Sequence, residues 1–523
     1  MAFTFSKLLD GVVAWATRYS SFLILLFIVL LIIYLWVRVP SGLPPCPKWV
    51  WPAFAHSLMV KGNLIDLFCR LRQEHGDVFS FWLAGQLVIV VNGFQKIKEL
   101  FVDDGANFAW RPDILNCDLF HYGVICTSGR QWREQRAVTK KALDYSHGAG
   151  LNPTIAQEVQ AFIKAIDRED QGPIDPRIMA QTAMYSNMCT VLFGHRLDYS
   201  DQRLSEGVSH FNDNIKLFSD CRLPNFFPFE KFLIGDTFDT KFLRINMADI
   251  YRKLINEETE SHLEHKDGDR RQDFVSSYLS SIAQNEEMER KKEEEEGKEG
   301  EKKKPKSKDK ESSLNRMNMQ AAVYDILWHG TTTTAGAFQW ALLYLLLNPN
   351  TQACAQDEID ANFEQGNAPL TAEERKKLPY IEAMVLEVFR LANVVPFGMA
   401  RCPLKEVKFH GYRIPTDAKV VPNLNSVLRD PELFPEPDAF KPERFISASG
   451  DVCCPAHFIP FLFGNRSCLG GNIAQDTIFQ FLFGVLQKYR LEPAETGKLP
   501  PLTRGFQVVS LPKDFKMRFI PRS

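Results

Sequence analysis

Nineteen uncharged residues, Tyr19 to Val37, lie between Arg18 and Arg38, with a continuous apolar run from Phe22 onward. At about 1.5 Å rise per residue, a helix of this length nearly matches a hydrocarbon core of roughly 30 Å. Tyr19 at one edge and Tyr34 and Trp36 at the other suit the two interfaces. The run is long and no small-residue cleavage site follows it. It therefore predicts a retained membrane span over about 19–37, within an N-terminal segment 1–39, rather than a cleaved signal peptide. Lys7 and Arg18 before it balance Arg38 and Lys48 after it, so flanking charge sets no orientation. Pro40, Pro44, Pro45 and Pro47 then predict a stiff extended spacer over 40–48.

Beyond Lys48 the apolar positions recur mostly at helical spacing, and few segments alternate. Residues 78–83 and 86–91 predict a hairpin about Ala84-Gly85. Residues 408–414 and 419–424 predict strands turning at His410-Gly411 and Pro415, and 508–511 with 516–520 predict a last small hairpin. Residues 286–311 break the pattern. They are almost entirely Glu, Lys, Asp and Arg, with Gly297, Gly300 and Pro305, and have no apolar face to bury. They predict a solvated, partly disordered charged loop.

Composition narrows the classes. The 523 residues are 45% apolar and 24% charged, with a formal net charge of −2. That is an ordinary globular balance, without the concentrated basic surface that a nucleic-acid partner requires. Length alone allows about three domains. Eleven cysteines, an odd and scattered set, make no disulfide framework and suit a reducing, cytosol-facing body. The Cys453–Cys454 pair lacks metal-site spacing and reads as two ordinary thiols.

One segment carries chemistry: Phe461-Leu-Phe-Gly464-Asn-Arg466-Ser-Cys468-Leu-Gly470, followed by an apolar helical stretch. Gly464 and Gly470 permit a tight loop whose backbone can approach a flat cofactor. Cys468 falls where that loop enters a helix, and the positive helix end and free N–H groups there favour a thiolate. Arg466 can reach a carboxylate of the same cofactor, and Phe461 can pack on the sulfur side. At average residue frequencies these five positions coincide on the order of once in ten thousand such chains. The segment resembles the haem-binding loop of the cytochrome P-450 family, which implies haem b held by Cys468 as its axial thiolate. Such ligation pushes electron density onto iron and favours O–O cleavage.

Distant segments support the resemblance. Glu387 and Arg390 share a face of an apolar helix, where an unpaired charge is costly, and Arg444 follows in Pro442-Glu-Arg444-Phe. They resemble the family's buried Glu–Arg–Arg lock, with a structural role behind the cysteine loop. Trp132 and Arg136 match the family's WxxxR helix, one turn apart, with indole N–H and guanidinium aimed at a haem propionate. Arg111 and Arg401 match further propionate-contacting positions. Buried carboxylates need such compensation.

On the oxygen side the pattern departs. His329-Gly330-Thr331-Thr332-Thr333-Thr334 stands where the family has Ala/Gly-Gly-x-Asp/Glu-Thr-Thr. Four β-branched residues after a glycine predict a weakened helix, and a hydroxyl bonded to an i−4 carbonyl would open a groove there. Thr333 is the candidate proton relay. Thr332 replaces the usual acid, and His329 lies one turn before Thr333. Three roles are open to His329: a substitute proton donor, with an unperturbed pKa near 6.5, a group that ligates or crowds the open iron position, or a hydrogen-bonded pocket histidine that shapes substrate.

The resemblance runs over essentially the whole chain. The apolar span, the proline spacer and the stretches Trp340-Ala-Leu-Leu-Tyr344 and Leu378-Pro-Tyr380 look most like animal microsomal members. It implies one large domain over 49–523, mainly α with small β-sheets, behind an N-terminal transmembrane helix in the endoplasmic reticulum and facing the cytosol. The activity implied is a monooxygenase acting on a lipophilic small molecule, with pocket linings from 113–120, 226–229, 327–333 and 394–399. The phenylalanines around Pro228 either dip into the membrane surface or form a buried aromatic loop. No Gly-x-Gly-x-x-Gly follows a strand, so electrons come from another protein. The family implies an NADPH-dependent flavoprotein reductase and allows a small cytochrome b as a second donor. Arg130, Arg133, Lys140 and Lys141 form a basic stretch suited to an acidic partner, or an ordinary solvated helix face. Two other readings stand: a dioxygen-independent peroxide isomerase or dehydratase, motivated by the missing acid, and a non-catalytic haem protein that binds lipid or gas.

Overall fold

The computed structural model describes residues 22, 24–31, 41–47, 64–83, 86–112, 122–148, 153–219, 240–264, 272–298, 312–364, 370–505 and 509–522. Among these are eleven longer helices. They are α1 (Leu64–His75), α2 (Gly129–His147), α3 (Pro153–Asp167), α4 (Pro176–Phe193), α5 (Gln202–Ser219) and α6 (Thr240–Ile250), then α7 (Phe274–Lys298), α8 (Arg316–Leu347), α9 (Pro349–Asn362), α10 (Pro379–Ala392) and α11 (Gly471–Lys488).

Local chemistry sets their ends. Asp175 caps α4 by accepting from the Arg177 N–H, and Pro176 occupies its first turn. Asn315 caps α8 in the same way through the Asn318 N–H, and Asn393 ends α10 in the left-handed region. At 32 residues α8 is about 48 Å long and buried on most sides. It forms the axis of the main core, where Phe338 meets Phe162 of α3 and Phe481 of α11 at ring separations of 5.6 and 5.3 Å.

Among the described residues the strands form three small sheets. β1 (Val78–Leu83) and β2 (Gln86–Val91) pair antiparallel in the expected hairpin, and β5 (Lys419–Pro422) adds to β2 in parallel. β3 (Val407–Phe409) and β4 (Tyr412–Ile414) close about His410 and Gly411, both at positive φ, as a two-residue hairpin turn requires. Among the described residues the expected C-terminal hairpin is not formed. β7 (Met517–Pro521) pairs instead with β6 (Tyr489–Pro493) at the end of α11, where Met517 and Phe519 join Tyr489 and Leu491 in the core. Pro512 follows the first expected strand, and burial beside α11 decides the pairing.

The charged insert is also different. Residues 286–298, expected in the loop, continue α7 as an exposed helix with Lys291–Glu287 and Arg290–Glu294 pairs one turn apart. Glu and Lys are strong helix formers and need no buried face when such pairs form. Residues 299–311 lie outside the described residues. The proline spacer does not stand free. Pro44 and Pro45 carbonyls accept from Ser80, and the Gly42 carbonyl accepts from the Arg413 N–H.

The span expected over 19–37 is described only at 22 and 24–31, which are helical and exposed. No helix among the described residues is long and apolar enough to cross a membrane.

Candidate active site

The loop before α11 is held by its own backbone. The Cys468 N–H donates to the Phe461 carbonyl, the Ser467 N–H to Gly464, and the Ala474 N–H to Gly470. Gly464 has φ +77°, and a Cβ there would lie 2.3 Å from the Phe101 carbonyl oxygen. Gly464→Ala is expected to lose about 3 kcal/mol or more through the left-handed backbone and this clash. Thermal unfolding checks it against Gly470→Ala, where a Cβ would meet no protein atom within 4 Å. An equal loss in both variants would contradict the assignment.

Cys468 is exposed, yet protein surrounds it closely enough for burial to push its thiol up. The Gly470 N–H and the Arg136 charge pull the other way. The sulfur thus faces open space inside the molecule, with a donor and a cation already beside it. Phe461 packs against Phe389 of α10 with the rings tilted at 56°, 4.9 Å between centres.

Four guanidinium groups gather around this loop. Arg466 lies over the Trp132 ring at 3.9 Å and donates to the carbonyls of Ala109, Val124, Ile125 and Thr127. Arg111 donates to the carbonyls of Ile125, Met399 and Ala400. Arg136 donates to the Ser467 carbonyl and hydroxyl at 2.9 and 3.1 Å. Arg401 is fully buried against the Phe101 ring, and all three of its side-chain nitrogens lack an acceptor among the described residues, as does the buried Trp132 Nε1.

Burial, then the neighbouring guanidiniums, push Arg401 and Arg466 well below the ordinary arginine range. A guanidinium does not give up its proton in a protein, so this is an unmet demand for negative charge. No carboxylate pairs with any of the four among the described residues. Not all four arginines keep their donors free of the protein. Arg111 and Arg466 spend theirs on loop carbonyls, because irregular backbone leaves such acceptors open. Arg401 and Trp132 retain theirs.

Glu387, Arg390 and Arg444 form one ion triad. Arg390 Nε and Nη2 donate to the two Glu387 oxygens at 2.6 and 2.8 Å, and Arg444 Nε donates to Glu387 Oε1 at 3.0 Å. The Lys441 N–H adds a bond at 2.9 Å.

Across the site, α8 runs unbroken through 329–334, contrary to the expected weakening. Thr332 Oγ1 donates to the Trp328 carbonyl at 2.8 Å and Thr333 Oγ1 to the His329 carbonyl at 2.6 Å, without interrupting the helix. Burial on the neighbouring faces keeps it helical. From 321 to 334 only Ile326, His329, Gly330 and Thr333 are incompletely buried. Their spacing of three and four residues makes one helical face. Thr332 points off that face and is buried. His329 Nδ1 lies 2.8 Å from the Asp325 carbonyl. Of the expected linings, 113–120 and 226–229 lie outside the described residues. Val395, Phe397 and Met399 are the part-buried side chains of 394–399.

A family model described as cytochrome P450 matches residues 44–519. The chain belongs to the cytochrome P450 family. It is 28% identical to cytochrome P450 2C3 of Oryctolagus cuniculus over 512 residues, covering 94% of this chain and 97% of that protein. It is also 28% identical to cytochrome P450 2C7 of Rattus norvegicus, over 96% and 99%, and to cytochrome P450 2B4 of Oryctolagus cuniculus, over 97% and 100%. Cytochromes P450 bind haem through a cysteine thiolate, and this chain is a haem-thiolate monooxygenase. The residues present suit that group: an accessible enclosed thiol, unmatched positive charge for two carboxylates, and unspent donors on Arg401 and Trp132.

One residue escaped the sequence reading. Asp325 Oδ2 accepts the Val124 and Ile125 N–H groups at 2.9 and 3.1 Å, tying to α8 the loop whose carbonyls accept from Arg111 and Arg466. Burial pushes its carboxyl up to about 7 against the pull of these bonds. Its signal was a lone acid in an apolar helix, one turn before His329.

Proposed function

We propose that this cytochrome P450 inserts one oxygen atom from dioxygen into a lipophilic small molecule. Its electrons come from NADPH through a membrane-bound flavoprotein reductase, with a small cytochrome b as a second donor. Cys468 ligates the iron, and Arg401 and Trp132 hold the propionates, with Arg111, Arg136 and Arg466 supplying positive charge around them. Bound this way, haem supplies the oxygen-activating chemistry. Glu387, Arg390 and Arg444 keep the loop in place.

The observation that carries the reductase reading is a groove of about 760 Å³ beside the cysteine loop, lined by Trp132, Arg133, Arg136, Lys141, Gly464 and Asn465 among others. Lys140 and Arg130 are paired within α2 to Asp144 and Glu134. Arg133 and Lys141 are exposed and make no ion pair among the described residues. An acidic electron donor fits a basic groove this close to the ligand.

The exposed apolar helix at 24–31 supports a single-pass anchor over about 19–37, because such a surface is stable in lipid rather than water. The endoplasmic reticulum membrane, with the body in the cytosol, suits the free cysteines. On the open face of α8, Thr333 Oγ1 holds a proton and has lone pairs to receive another, so it relays protons without an adjacent acid.

Purified protein with reductase, NADPH and a panel of lipophilic compounds tests the reading, scored as product per NADPH consumed. Thr333→Val is expected to lower that ratio while leaving the haem spectrum unchanged; an unchanged ratio removes Thr333 from the relay. A second reading, rearrangement of a peroxide without reductase, is favoured by one observation. The position of the usual acid is a threonine whose hydroxyl is bonded to Trp328. Product from a lipid hydroperoxide in the absence of reductase would establish it.

A further inference from the structure

We propose that His329 is a built-in sixth ligand: in the resting, substrate-free protein its Nε2 binds the haem iron from the side opposite Cys468, and substrate displaces it. The inference rests on the haem-thiolate reading and adds to it.

The hydrogen bonding decides which ring nitrogen is available. A carbonyl oxygen can only accept, so the 2.8 Å contact with Asp325 makes Nδ1 the donor. The lone pair of the neutral ring is then on Nε2. That nitrogen has no protein partner among the described residues and is not sealed in the packed interior. Metal-binding histidines ordinarily have this arrangement, with one ring N–H given to a backbone carbonyl or carboxylate and the other nitrogen on the metal.

The ring is also in the right place. His329 shares the open face of α8 with Gly330 and Thr333, and the Trp328 ring lies 5.6 Å away at its flank. Met188 of α4 fills the space where a Gly330 side chain would be, so α8 sits close to α4 at this turn. Met188, Leu327 and Trp328 belong to one apolar cluster with Ile473 of α11, and Leu469, next to Cys468, packs against it. The turn bearing His329 and the loop bearing Cys468 are therefore built on a common wall. Arg111 of the guanidinium cluster is close enough to act electrostatically on the ring.

The other two roles fit less well. A proton donor needs the doubly protonated ring, yet burial, with Arg111, lowers the His329 pKa from its ordinary value. A ring that merely shapes the pocket would leave the Nε2 lone pair unused. Coordination uses that lone pair, moves no proton and displaces only solvent from the metal. It would keep the oxygen side closed until a substrate pushes the ring aside, so idle enzyme would consume little NADPH.

The test uses ferric holoprotein without substrate, examined by absorption and near-infrared magnetic circular dichroism, with added imidazole as the competing ligand. Wild type is expected to show the low-spin signature of nitrogen opposite thiolate before any addition, and to change little with imidazole. His329→Ala is expected to lose that signature, to respond fully to imidazole, and to bind it about tenfold more tightly because no internal ligand competes. A wild-type spectrum with water rather than nitrogen opposite thiolate overturns the proposal, even if the alanine variant cannot be made. Equal imidazole affinities in the two proteins overturn it as well. The carbon monoxide spectrum of the reduced proteins reports thiolate ligation separately, so a failure of the Cys468 assignment is distinguishable from a failure at His329.

Discussion

Glu387→Gln is expected to destabilise the protein by about 3–5 kcal/mol, the cost of leaving a buried charge without its partner. Against a total stability of about 5–15 kcal/mol, little folded protein would survive. Both Glu387 oxygens are engaged by four donors: two from Arg390, one from Arg444 and the Lys441 N–H. Glutamine keeps one acceptor and turns an N–H₂ group toward donors. Arg390, 0% exposed, keeps the carbonyls of Leu428, Pro437 and Ala439 but loses its counter-charge.

The damage should reach the cysteine loop. Phe389, adjacent to Arg390, packs on Phe461, and Phe445, adjacent to Arg444, packs on Phe458 at 5.1 Å. Denaturant unfolding followed by far-ultraviolet circular dichroism, with haem content measured alongside, checks this. Arg444→Lys keeps a charge near a partly exposed site and is expected to cost much less. If Glu387→Gln unfolds at the wild-type midpoint, the triad is not a structural lock.

Legibility in the sequence followed the range of the interactions. The β1–β2 hairpin could be read to the residue because alternation and the central glycine are local signals. The Glu387–Arg390 pair could be read for the same reason, being one helical turn apart in an apolar setting. The cysteine loop combined several local constraints in ten residues. The β6–β7 pairing was not legible, because it joins segments far apart in sequence and depends on which face α11 leaves uncovered.

The helical continuation through 286–298 is not legible from apolar periodicity, because it rests on helix propensity and one-turn ion pairs rather than on a buried face. The site shows the same division. The family resemblance implies four arginines near the cofactor, but which of them spend their donors on loop carbonyls depends on backbone that only the fold reveals. The oxygen side is similar: helical periodicity puts His329 and Thr333 on one face, whereas the tautomer of His329 follows from a single distance.

The central claim is that Cys468 holds the iron as a thiolate. It is the cysteine that lies open within an enclosed site, with the Gly470 N–H and Arg136 to stabilise its charge. Serine at this position keeps the loop geometry but offers a hydroxyl whose proton is far harder to lose, so the strongly donating ligand disappears. Reduced protein exposed to carbon monoxide should give the red-shifted Soret band of thiolate ligation, and Cys468→Ser should lack it entirely while wild type retains it. A serine variant that keeps that band would contradict the assignment, and with it the account of the site.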